Sequence, residues 1–186
     1  VEPEILLPKN AACLRLPGTD GKAKMSKSLG NCIYLSDSAE DVRKKVMSMY
    51  TDPNHLRIED PGSLEGNCVF TYLDAFSRPE HFAEFLPDYA SLDELKAHYQ
   101  RGGLGDVKVK KFLNAVLQQA LEPIRERRKE YEHNIEGVYD MLRRGCTVAR
   151  AEAAETLEMV KRSMKIDYFE DTEMIRRQSE RYKQGK

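Results

Sequence analysis

The stretch 106–133 restricts the fold more than any other part of the chain. Val109, Phe112, Leu113, Val116, Leu117, Ala120, Leu121 and Ile124 recur three and four residues apart. That spacing gathers them on one face of a helix with 3.6 residues per turn, whereas a strand would scatter them over both faces. A long amphipathic helix is predicted from Asp106, the longest of the chain. Pro123 removes a backbone donor and is predicted to kink or split it. An apolar stripe of this length needs other helices to cover it.

Candidates for that cover lie upstream. Asp37 is a predicted N-cap, with Glu40 three residues on as in a capping box, ahead of Val42, Val46 and Met49. Residues 51–67 hold two prolines, two glycines and four acidic residues and read as a long loop. Asn67 can cap a helix with Val69, Phe70, Leu73 and Phe76. Pro79 suits the first turn of the next, where Phe82 and Phe85 turn inward. Ser91 with Glu94 forms another capping box, and Gly102-Gly103 stops that helix. Further helices are predicted at about 134–144, ended by Gly145, and at about 147–164, with a turn at Asp167-Tyr168-Phe169 and a polar segment from 171 to 184. The first 36 residues differ: extended chain around Leu14 and Leu16, a polar glycine-flanked loop over 22–31, then extended chain at Cys32-Ile33-Tyr34-Leu35. The reading is mainly α, a helical bundle with a short non-helical head, divided into 1–36 and 37–186. The aromatics Phe70, Tyr72, Phe76, Phe82 and Phe85 are expected in the core.

Charge narrows the function. The 30 basic and 31 acidic residues leave a net charge of −1, which excludes a protein that coats polyanions without discrimination. The balance is uneven along the chain. Residues 51–100 carry 3 basic and 10 acidic groups, and residues 101–150 carry 11 and 7. A basic surface for phosphates is one reading; solvated helix faces are the other. No apolar run approaches the roughly 18 residues that span a membrane. The four cysteines are widely spaced without a CxxC pair, so no zinc site is expected and a reduced, cytoplasmic setting fits. The chain opens without Met or a signal-like segment, as a processed product or a cut piece would.

One motif carries chemistry: Lys24-Met25-Ser26-Lys27-Ser28, followed by Leu29-Gly30-Asn31. Lysine offers a compact charge that can follow a moving phosphate. Serine hydroxyls and loop amides can donate to phosphate oxygens. On residue types alone, a solvated loop remains the competing reading. The stretch LPGTDGKAKMSKSLGN resembles the KMSKS loop of class I aminoacyl-tRNA synthetases. NCIYLSDSAEDVRKKV, PGSLEGNCVFTYLDAF, GGLGDVKVKKFL and LEPIRERRKEYE are similar to the bacterial tryptophanyl-tRNA synthetase family, from about residue 10 to 170.

That resemblance implies a fold, with 1–36 as the end of an α/β nucleotide-binding domain and 37–186 as a helical anticodon-binding domain. It implies ATP with Mg2+, tryptophan and tRNA(Trp) as what the intact enzyme handles, and a homodimer. Lys24 and Lys27 would be catalytic. Met25, Ser26 and Ser28 would complete the ATP loop, and Arg15 would border the adenine. Asn67, Cys68, Lys108, Lys110, Lys111, Arg125, Arg127 and Arg128 would meet tRNA. For Asn67 a plain helix cap is the alternative, and for the arginines, pairing with Glu122, Glu126 and Glu130. The family's HIGH-type motif has no counterpart among His55, His81, His98 and His133. The chain therefore resembles the C-terminal half of such an enzyme and is expected to be inactive alone. A tyrosyl-tRNA synthetase piece, a non-catalytic helical tRNA-binding module and a helical scaffold are the alternatives.

Overall fold

Helix starts in this chain are set by short side chains that satisfy the first free backbone amides. A computed structural model describes residues 3–185; Val1, Glu2 and Lys186, which belong to the two expected domains, lie outside the described residues. Seven α-helices occur among the described residues: α1 Ala39–Met47, α2 Cys68–Phe76, α3 Pro79–Phe85, α4 Leu92–Arg101, α5 Asp106–Glu132, α6 Ile135–Met164 and α7 Thr172–Lys183. The molecule is mainly α, as expected. The chain divides into two compact units, Val1–Lys129 and Glu130–Lys186.

In the first unit the cap of α1 differs from expectation by one residue. Ser38, not Asp37, is the N-cap, accepting from the Asp41 amide and donating to its carboxylate. Asp37 is engaged elsewhere: it accepts from Tyr34 N–H and pairs with Lys45 at 2.5 Å. Asn67, Pro79 and Ser91 begin α2, α3 and α4 as predicted, and Gly102 ends α4. The head is less extended than expected. Ala11–Cys13 forms a 3-10 turn under Asn10, and Lys27–Leu29 forms another. Only one isolated bridge, Pro17 with Lys24, represents strand pairing among the described residues. Pro17 has no N–H with which to extend a ladder.

Four helices bury their apolar faces against α5. Val42 and Val46 of α1, Phe70 and Leu73 of α2, Phe82 of α3, and Leu95 and Tyr99 of α4 form one cluster with Val109, Phe112, Leu113, Val116, Leu117 and Leu121. Each fully buried aliphatic side chain contributes about 1.5–3 kcal/mol. Of the predicted aromatics, Phe70, Tyr72 and Phe82 are buried, while Phe76 and Phe85 pack partly buried against the cluster. The stripe on α5 ends at Leu121. Ala120 and Ile124 are exposed, and Arg125 occupies the next inward position. The helix is neither split nor interrupted at Pro123. Stripe and packing hold its first half, so the missing proline donor removes one bond from an otherwise intact ladder.

The second unit carries α6 and α7. A single helix, α6, replaces the two that Gly145 was expected to separate, and at 30 residues it exceeds the 27 of α5. Gly145 sits with no atom near its missing Cβ. Glycine inside an exposed helix costs only about 1 kcal/mol relative to alanine, too little to break a helix rich in alanine, leucine and arginine. Asn134 caps α6 through the Gly137 amide, and Lys165 closes it with a left-handed φ of 55°. A turn does occupy 168–170. No residue of α6 or α7 is buried. Among the described residues no helix is long and apolar enough to cross a membrane.

Candidate functional site

The lysine loop is a short hairpin whose base is bonded and whose cations are exposed. Gly18 N–H donates to the Ala23 carbonyl at 2.7 Å, and Thr19 N–H donates to the Asn31 carbonyl at 3.0 Å. Tyr72 of α2 holds one arm by donating to the Pro17 carbonyl at 2.7 Å. Met25 packs, partly buried, against the core cluster. Ser26 and Ser28 hydroxyls share a hydrogen bond of 2.9 Å. Gly30 turns the chain with φ 65°, a conformation that side chains disfavour. Lys24 and Lys27 are exposed, and neither has an ion pair among the described residues. Arg15 is likewise exposed.

The role of one residue of this region, Asn31, escaped the sequence reading of the site. Asn31 is buried at the loop base and bonds to Ser26, Lys24 and Asp20. Its amide beside Asp20 holds that carboxyl below its ordinary range. Gly18 makes the close approach possible, since a Cβ there would meet Asn31 at 2.2 Å. The one available signal was the Gly18…Asn31 pair flanking the lysines, and spacing alone does not reveal contact.

A second arrangement lies at the start of α5. Here His55, Arg57, Ile58, Tyr89, His98, Asp106, Lys108 and Lys111 help to line a cavity of about 600 Å³. Its wall is built by the loop before α2 clamped onto the glycine turn: Gly103 N–H donates to the Ile58 carbonyl, and Gly62 N–H to the Tyr99 carbonyl. Gly102, at φ 86°, would bring a Cβ within 2.2 Å of the Glu59 carbonyl, so only glycine fits. Asp106 is the focus. It accepts from Tyr99 Oη at 2.7 Å and Thr51 Oγ1 at 3.1 Å, and lies 3.3 Å from His55 Nδ1. Burial and the Asp106 carboxylate push the Tyr99 phenol well above its ordinary range. His55 Nε2 is buried without a hydrogen-bond partner among the described residues.

Residues expected to meet RNA are placed very differently from one another. Lys108 and Lys111 reach the cavity together. Lys108 is held by Asp88 at 2.7 Å, which raises its pKa, and lies over the Tyr89 ring. Lys110 donates to the Met47 carbonyl. Arg127 and Arg128 are exposed, about 24 Å or more along α5 from Lys111 at 1.5 Å per residue. Asn67, Cys68 and Arg125 are internal as placed. Asn67 is 1% exposed; it caps α2 and donates to Tyr99 Oη. Arg125 bonds Gln118 and pairs with Glu122. Cys68 donates to the Tyr50 carbonyl at 2.9 Å. For Asn67 and Cys68 the protein takes up the polar atoms that a base or phosphate would need, while Arg125 Nη1 is buried without a hydrogen-bond partner among the described residues.

Burial pushes the Cys68 thiol from 9.0 up to about 11. At pH 8 only about a thousandth of it is thiolate, so it is a poor nucleophile. Alkylation at pH 8 is expected to label Cys13 and Cys146, which are exposed, and to spare Cys68 until the protein unfolds. Rapid labelling of Cys68 in the native state, read by peptide mass, would contradict this placement. The raised pKa also has a sign: its contribution to stability is present below the unfolded value near 9 and is lost as pH rises toward 11.

Known proteins match this architecture over most of its length. The family model for class I tRNA synthetases (W and Y) matches residues 1–122. Tryptophan–tRNA ligase of Streptococcus mutans is 59% identical over 169 residues, covering 91% of this chain and 48% of that protein. That of Clostridium longisporum is 57% identical, covering 91% and 47%. Among solved structures, tryptophanyl-tRNA synthetase from Campylobacter jejuni, complexed with ADP and tryptophan, aligns with a TM-score of 0.64 at 28% identity, covering 81% of this chain and 43% of that one. The chain thus spans about half the length of the curated relatives it matches. By family model, by relatives and by fold, it belongs to the class I tRNA synthetases of the tryptophan and tyrosine family.

Proposed function

We propose that this chain forms part of a tryptophan–tRNA ligase, supplying the phosphate loop for tryptophan activation and a helical surface for tRNA. The observation that carries this reading is the lysine loop, with a bonded base and two exposed ammonium groups that have no ion pair among the described residues. In the reaction, a carboxylate oxygen of tryptophan attacks the α-phosphorus of ATP, and the bond to the bridging oxygen breaks. Negative charge grows on the departing pyrophosphate. Cations held there stabilise the transition state more than the ground state. Lys27 takes that role first and Lys24 second, with Ser26 and Ser28 donating hydrogen bonds and Arg15 bordering the adenine. Ammonium, hydroxyl and amide donors suit phosphate oxygens rather than a bare cation. Mg2+ would therefore arrive on the nucleotide. Residues 1–36 are read as the end of the nucleotide-binding domain and 37–186 as the helical one. The intact enzyme is read as a homodimer.

For tRNA, the cavity at the start of α5 is a better candidate than Asn67 or Cys68. Asp106 can accept from the amino group of a base, as carboxylates do with cytosine. Arg57, Lys108 and Lys111 supply positive charge for phosphates nearby. The high identity to tryptophan ligases favours tryptophan over tyrosine as the amino acid.

ATP–pyrophosphate exchange tests the activation half. A full-length enzyme containing this chain should exchange with tryptophan and not with tyrosine. The 186-residue chain alone should give no exchange, because it holds no HIGH-type motif. Robust exchange by the chain alone, or a preference for tyrosine, would overturn the reading.

A further inference from the structure

One side chain closes the base of the lysine loop, and its amide makes three hydrogen bonds to do so. Asn31 is 4% exposed. Its Oδ1 accepts from Ser26 N–H at 2.8 Å, and its Nδ2 donates to Asp20 Oδ1 at 3.1 Å and to the Lys24 carbonyl at 3.3 Å. Its own carbonyl accepts from Thr19 N–H at 3.0 Å. Both arms of the hairpin are therefore tied to one residue. The arms are fixed in turn: Tyr72 holds Pro17, and Tyr50 N–H donates to the Thr19 carbonyl at 2.9 Å. Beyond Ser26 the pattern changes. Among the described residues, Lys27–Leu29 and Gly30 bond only within the tip, through Ser26, Ser28 and the Lys27 carbonyl.

We propose that Asn31 is the positioning residue of the lysine loop: through Ser26 and Asp20 it fixes the base from which Lys24 and Lys27 reach the phosphates. This rests on the reading of the loop given above. An asparagine is needed because the site asks for one acceptor and two donors from a single short side chain. Aspartate has the same shape but cannot donate, and it would set a second carboxylate against Asp20. The pair can be exchanged. In the double variant Asp20→Asn/Asn31→Asp, the new amide at position 20 can donate to the new carboxylate at position 31. The bond to Ser26 is kept, while the one to the Lys24 carbonyl and the one from Lys22 N–H to Asp20 Oδ1, both 3.3 Å long, are lost.

Two measurements test the proposal. Amide hydrogen exchange in the 186-residue chain reads the loop directly. Asn31→Asp should speed exchange at Ser26 by about tenfold, leaving Leu73 and Leu113 in the core unchanged. The double variant should return Ser26 most of the way. In a full-length enzyme, Asn31→Asp should lower kcat for ATP–pyrophosphate exchange by about ten- to a hundredfold with the KM for tryptophan unchanged, and the double variant should recover it. Unchanged exchange at Ser26, or a double variant no better than the single one, would overturn the clamp. A loosened loop with unaltered kcat would overturn its positioning role. If the amide results hold while Lys27→Ala leaves activity intact, the functional reading of the loop fails and the clamp stands.

Discussion

Lys27→Ala in a full-length enzyme containing this chain is expected to slow ATP–pyrophosphate exchange by about 10²–10³, the usual cost of removing one pre-placed donor to a developing anion. The loss should fall on kcat, because the ammonium meets charge that exists fully only once pyrophosphate departs. The KM for tryptophan should stay where it is. Stability should not account for the result. Lys27 is exposed and without an ion pair among the described residues, and such surface changes usually move stability by within about 0.5 kcal/mol. Lys24→Ala should do less, since Lys24 belongs to the bonded base of the loop, where its carbonyl accepts from Asn31, and not to its tip. Exchange kinetics at saturating tryptophan check this, with urea unfolding as the control. A rate within a few-fold of wild type would remove Lys27 from the mechanism.

Asp106→Ala is expected to cost about 2–4 kcal/mol of stability, since hydrogen bonds to a charged acceptor contribute more than neutral ones and their donors are left in the core. Tyr99 is fully buried, and its hydroxyl would keep only the Asn67 amide as a neighbour. Thr51 and His55 would lose their partner as well. Asp106→Asn separates structure from recognition. It retains an oxygen to accept from Tyr99, so most of the stability should return. It also places an amide where the cavity offered a carboxylate, which should weaken tRNA binding by about tenfold or more, the scale of a lost base contact. Urea unfolding and filter binding measure the two effects. Full stability in the alanine variant would remove the network. Unaltered tRNA affinity in the asparagine variant would remove Asp106 from base reading.

Much of the helical body was legible because its signals are local. The stripe from Val109 to Leu121 and the caps at Asn67 and Ser91 depend on neighbours three and four residues away. The failures were local competitions that propensity rules weigh poorly. Ser38 took the cap because Asp37 was drawn to Lys45 and Tyr34. Gly145 did not end a helix, because one glycine costs less than its neighbours supply.

The candidate sites divide along the same line. Sequence by itself determined the helical class, the lysine loop and the resemblance that gives the loop a meaning, because each is written in contiguous residues. Only the tertiary structure decided which polar side chains remain available. Asp106 and His55 meet across 51 positions, Tyr99 and Asn67 across 32, and Asn31 reaches Asp20 across 11. Packing of the 51–67 loop against the glycine turn brings the first pairs together, and no short-range pattern encodes it. The same packing leaves Asn67 and Cys68 buried. Burying a polar atom is costly unless it is bonded there, and the bonds that hold Asn67 and Cys68 inside the protein exist only once distant segments pack together.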